Sequence, residues 1–233
     1  MIESSRRKLE SASLVRLEER RNDYREEVEA ETPPSAQAAL HADPAGEIYT
    51  RPVAAEYEFA IVRTPYHQYL LDSPGQTVCN AILKVVEVEA PIHFKDLASR
   101  VAGVWGQSTG SNITARINMW VKNLADSKQI AIKGDFIWNR DRKFVVRSRK
   151  GTNIPAERIA PEEVREAILM VLRAGNEFTQ SELLKEVRGV FGFSRTGSGL
   201  QQVITSVIEL LLLQGVIGEG RIGIAIRGTD KAV

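Results

Sequence analysis

Between residues 107 and 150 the chain carries ten cationic side chains against three acids. The cations are Arg116, Lys122, Lys128, Lys133, Arg140, Arg142, Lys143, Arg147, Arg149 and Lys150; the acids are Asp126, Asp135 and Asp141. Ammonium and guanidinium groups at that density can neutralise a row of phosphates. Arg140, Arg142, Lys143, Arg147 and Arg149 are expected to contact phosphates, with Lys133 beside them. Ser108, Thr109 and Ser111 stand at the start of a predicted helix, where hydroxyls and free backbone N–H groups can hold one more anion. Asn112 and Arg116 lie in the first turns of that helix and could reach base edges, though no residue pattern fixes that. The chemistry expected is binding of a nucleic-acid backbone, duplex DNA before single-stranded DNA. A solvated basic face would have the same composition.

Patterns for catalysis are missing by comparison. The chain has no Gly-x-x-x-x-Gly-Lys-Ser/Thr and no Gly-x-Ser-x-Gly. Gly192 to Ser198 has the glycine spacing of a phosphate loop but no lysine, and it reads as a turn between helices. His41, His67 and His93 are far apart and fit no metal-ligand spacing. His93 precedes Phe94-Lys95-Asp96-Leu97 and reads as a helix-start residue. Glu162 and Glu163 are adjacent, so they point to different sides of a helix. They suit the first-turn dipole better than an acid–base pair. Cys79 is the only cysteine and reads as a small core residue. No catalytic residue, cofactor or metal is therefore expected.

The elements that must position the basic stretch are repeated. Ala81-Ile82-Leu83 returns as Ala167-Ile168-Leu169, and at the same offset of 86 Trp105-Gly106 returns as Phe191-Gly192. After one inserted residue, Thr109-Gly110-Ser111-Asn112-Ile113 returns as Thr196-Gly197-Ser198-Gly199-Leu200. The matches fall at apolar and turn positions, which a shared fold must keep, and the length suits a duplicated small domain. Ser73-Pro74 reads as a helix start, cap then proline. Three helices follow at 3.6-residue spacing, the third with Ile113, Ile117, Trp120, Val121 and Leu124 on one face. The period then changes to alternation at Ile130-Ala131-Ile132 and Phe136-Ile137-Trp138 around Lys133-Gly134-Asp135, a hairpin. The second copy predicts helices over 161–174, 181–190 and 200–214 and a hairpin over 216–224.

Three short helices and a hairpin describe a winged helix. The expected fold is mainly α (α+β): tandem winged-helix domains preceded by a charged N-terminal helix. The boundaries are 1–31 for the helix, 32–72 for a linker and extended arm, 73–150 for the first winged helix and 151–233 for the second. The second copy holds only three cations, Arg195, Arg221 and Arg227, over its third helix and hairpin, and its Leu210 to Leu213 run exceeds what one face of a lone small domain can bury. The alternative function is thus a protein–protein adaptor. The net charge is +1 over 233 residues, the apolar runs are short and interrupted, and the N-terminus has no apolar core of a signal peptide. No membrane partner is expected, and the compartment expected is the cytoplasm.

Several segments in order carry a family resemblance: Glu89-Ala90-Pro91-Ile92-His93, Val104-Trp105-Gly106, Gly134-Asp135-Phe136-Ile137-Trp138, Val146-Arg147-Ser148-Arg149, Ile159-Ala160-Pro161-Glu162-Glu163 and Phe191-Gly192-Phe193-Ser194-Arg195. Roughly residues 70 to 220 resemble a domain of unknown function at the C-terminal end of large bacterial superfamily-one helicase-like proteins. In those proteins a motor lies upstream, often with a nuclease-like domain, and this chain has the motifs of neither. It looks like a detached C-terminal fragment or a stand-alone relative. The resemblance implies a helicase-associated role in DNA transactions, with a helicase-like motor protein as partner, and no catalysis by these residues.

Overall fold

The computed structural model describes residues 49–63, 69–141, 143–175 and 177–227. The expected N-terminal helix and Arg142 lie outside them. The first repeat begins with α1, Gly75–Glu89, which stops where Ala90-Pro91 can no longer continue a helix. Val78, Ile82, Val85 and Val86 recur at helical spacing and are buried, as is Cys79. Ser73 does not cap this helix. Its hydroxyl donates to the Tyr69 carbonyl at 3.0 Å and accepts from the Trp105 indole at 2.8 Å, so it ties α1 to the end of the next helix. The N-cap position is Pro74, with no side-chain cap.

A two-residue strand, β1 (Ile92–His93), leads into α2 (Phe94–Val104). His93 is the N-cap of α2, and its Nδ1 accepts the Lys95 amide at 3.0 Å, the helix-start role that its place in the sequence suggests. The polar turn of residues 107–110 then gives α3 (Ser111–Asp126). Ile117, Val121 and Leu124 of α3 are buried, with Ile113 and Trp120 packed against the same core. The hairpin is β2 (Ile130–Lys133) and β3 (Phe136–Asn139), closed through Gly134 at φ 56°. All pairing is antiparallel in the order β1-β3-β2, with Ile137 between Ile92 and Ile132.

The second repeat gives the same order: α4 (Pro161–Gly175), β4 (Glu177–Phe178), α5 (Gln180–Phe191), α6 (Ser198–Leu213), β5 (Ile217–Glu219) and β6 (Ile224–Ile226). Its sheet order is β4-β6-β5, again antiparallel. Thr179 takes the place of His93 and forms a full capping box with Glu182. The described residues thus form six α-helices and two three-stranded sheets, a mixed α+β fold. The short strands β1 and β4 have no sequence signature, because two residues are too few to show a period.

The described residues from Thr50 onward form one compact unit. The stretch between the repeats is packed instead of open: Val146, Ile154, Ala156, Ile159 and Ala160 are buried. A 3₁₀ turn at Ala156–Arg158 sends Arg158 to Asp96 of α2 at 2.7 Å. Ahead of the first repeat, residues 49–63 run as an arm with one isolated parallel bridge, Ala55 to Arg147.

Candidate nucleic-acid interface

The structure separates the expected site residues into four places, with Lys143 apart from them. Ser108, Thr109, Ser111 and Asn112 are exposed at the start of α3. Gly110 caps that helix without a side-chain contact, and its first turn holds no acidic residue, so the leading N–H groups face outward uncovered by carboxylates. Arg116 follows one turn later with its guanidinium 5.5 Å from the centre of the Trp120 ring. Arg140 is at the other end of the helix, donating to the Lys128 carbonyl at 3.1 Å. Sixteen residues separate these ends, about 24 Å at helical rise.

Lys133 is in the third place, at the hairpin turn. Its ammonium is 4.5 Å from the Trp138 ring centre and 3.8 Å from the Glu162 carboxylate at the start of α4. The turn itself is held down, because the Phe94 amide donates to the Asp135 carbonyl at 2.8 Å. Lys143 is exposed beside a shallow groove lined by Val53, Ala55, Phe144, Val145 and Met170.

Arg147 and Arg149 form the fourth place, and here the expectation of phosphate contacts is corrected. Both are buried, at 6% and 4% exposure, around a fully buried Glu163. Arg147 reaches Glu163 at 3.1 Å and also donates to the carbonyls of Glu89 at 2.8 Å and Pro91 at 3.0 Å. Arg149 reaches Glu163 at 2.8 Å. A charge sealed inside the fold and satisfied by its own carboxylate cannot neutralise a phosphate. Glu163 is correspondingly no mere first-turn acid. For Glu163 a signal was present: it precedes Ala167 by four residues and adjoins Val164, both on the buried face of α4.

Tyr57 of the arm completes the cluster. Its ring lies 4.9 Å from both guanidiniums, and its hydroxyl donates to Glu89 at 3.0 Å. Burial, aided by the Glu89 carboxylate, holds the phenol above its ordinary pKa, so it remains a donor. Arg100 also reaches Glu89, at 3.2 Å, while stacking 4.4 Å from the centre of the Phe59 ring.

One open surface of the first repeat that carries cations is the outer strip of α3, which also exposes Asp126 at its end. Ser111, Asn112, Ala115, Met119, Lys122 and Asn123 are exposed at helical spacings, with Arg116 half-buried along one edge. Lys128 and Arg140 are exposed beyond its C-terminal end. Lys122 and Lys128 contributed to the charge count in the sequence but had no assigned role. The equivalent helix α6 carries a single charged residue, Glu209.

A family described as a protein of unknown function (DUF3320) matches residues 68–115, from just before α1 into the first turns of α3. The match takes in a minority of the chain, and the description names no activity. No curated protein and no solved structure matches the chain. Among the described residues no helix is long and apolar enough to cross a membrane, and no three His, Cys, Asp or Glu side chains gather where they could hold a metal ion.

Proposed function

We propose that the chain is a non-catalytic accessory module, built of two winged-helix-like repeats, that docks on duplex DNA through the outer strip of α3. The supporting observation is the contrast between equivalent helices. The outer side of α3 has an open, acid-free first turn, exposed amide side chains near both ends and the cations Arg116, Lys122, Lys128 and Arg140 at its edge and end. On α6 the same side is uncharged apart from Glu209. Cations hold the phosphates, and the exposed amides of Asn112 and Asn123 on the same helix are offered to base edges. The resemblance to helicase-associated domains makes a helicase-like motor the natural partner, with this chain supplying grip on the substrate and the motor supplying chemistry.

If four cations each neutralise a phosphate, the logarithm of affinity for duplex DNA falls with the logarithm of salt at a slope of about −3.6. A titration of labelled duplex at several salt concentrations reads that slope directly, and binding that ignores salt overturns the reading.

A second reading has its own observation. Leu210, Leu213 and Ile222 of the second repeat are exposed at 46%, 85% and 65%. Single exposed apolar residues are ordinary, but several near the end of one helix and its hairpin suit contact with another protein. An adaptor of this kind binds a protein and shows no affinity for nucleic acid.

A further inference from the structure

We propose that residues 50–63 are a releasable strap across the joint between the repeats, and that releasing the strap loosens the joint. The proposal is independent of what α3 binds. Along its length the arm touches each side of the joint in turn. Arg51 forms a two-pronged pair with Glu186 of α5, at 2.6 and 3.0 Å. Ala55 exchanges backbone hydrogen bonds with the inter-repeat stretch, its amide to the Val146 carbonyl at 2.9 Å and its carbonyl from the Ser148 amide at 2.8 Å. Tyr57 covers Arg147 and Arg149 and reaches Glu89, and the Ala60 amide donates to the same carboxylate at 3.0 Å. The arm thus begins on the second repeat and ends on the first.

The joint beneath the strap is polar. Arg147 and Arg149 connect Glu163 of the second repeat with the end of α1 in the first, and the Arg149 amide donates to the Phe191 carbonyl at 2.7 Å. Such a cluster keeps its strength only while water is excluded. Tyr57 provides that cover with a flat ring against both guanidiniums. The strap is held at separate points rather than along its length: Ala60 and Val62 pack against the core, but it has no regular structure, a single bridge, and Val53 and Ile61 exposed at 89% and 81%. Segments with few buried contacts open at far lower free energy than the core. Opening it admits water to the arginines and removes one of the connections across the joint.

Amide hydrogen exchange on the full chain tests this, comparing the wild type with Tyr57→Ala and with Arg51→Glu. The second variant changes an exposed side chain and leaves the core untouched. The informative amides are Arg147 and Arg149, whose acceptors are Glu163 and Phe191 and not the strap. The expected result is exchange at least tenfold faster at residues 50–63 and at Arg147 and Arg149 together, in both variants, with the middles of α1 and α4 at wild-type rates. Acceleration confined to 50–63, no acceleration, or a uniform acceleration over the whole chain would each overturn the proposal.

Discussion

Glu163 is one carboxylate shared by two guanidiniums, and Arg147 makes up the difference with the carbonyl oxygens of Glu89 and Pro91. Taking the carboxylate away strands two buried cations. The expected loss for Glu163→Gln is about 3–5 kcal/mol of unfolding free energy, read by chemical denaturation. Lys122→Ala should leave the denaturation midpoint unchanged, because that side chain is exposed and makes no ion pair among the described residues. His93 offers a pH test. Burial holds its folded-state pKa below the ordinary value near 6.5, against the opposing pull of Asp96 and Asp135. The unfolded chain therefore takes up the proton first. The contribution of the neutral cap to stability is complete above the ordinary value and is lost as pH falls through the lower, folded value. Stability of the wild type should decline below about pH 6.5, and His93→Asn, a cap that does not titrate, should lack that component. The role of His93 was legible in the sequence from its place directly before Phe94-Lys95-Asp96-Leu97. The burial of Arg147 was not, because its partners lie 16 to 58 residues away and a basic run has the same composition inside a fold as outside it.

Helices and hairpins were the most legible elements, since each carries its own period and the second copy confirms the first. The observed start of α4 is the expected one, and the other bounds of α4, α5 and α6 differ from the expected ones by a residue or two, as helix ends usually do. The arm and the inter-repeat stretch were opaque because they have no period and take their conformation from side chains distant in the chain. Close helix packing supplies a prediction at this scale. A Cβ at Gly75 would run into the ring of Trp120, so α1 and α3 approach there only because position 75 has no side chain. Gly75→Ala replaces the best-tolerated helix change with an overpacked contact, and should cost about 1–3 kcal/mol where helix propensity alone predicts a gain. Thermal denaturation reads the sign. A rise in Tm would mean that the indole moves aside freely.

At the scale of the whole molecule, the duplication has produced two copies with different outer surfaces. The first exposes cations along and beyond its third helix and the second exposes leucines at the end of its own, on a unit whose halves are joined through buried charge. Of the ten cations between residues 107 and 150, Arg147 and Arg149 are buried in the joint between the repeats, and Arg116, Lys122, Lys128 and Arg140 are the four proposed to meet a ligand. The most direct measurement of that division is a duplex-DNA titration at low salt, comparing the wild type with a variant carrying Arg116→Ala, Lys122→Ala and Lys128→Ala together. The account predicts at least a tenfold loss of affinity with the denaturation midpoint little changed. Wild-type affinity in that variant, or no binding by the wild type at low salt, would contradict it.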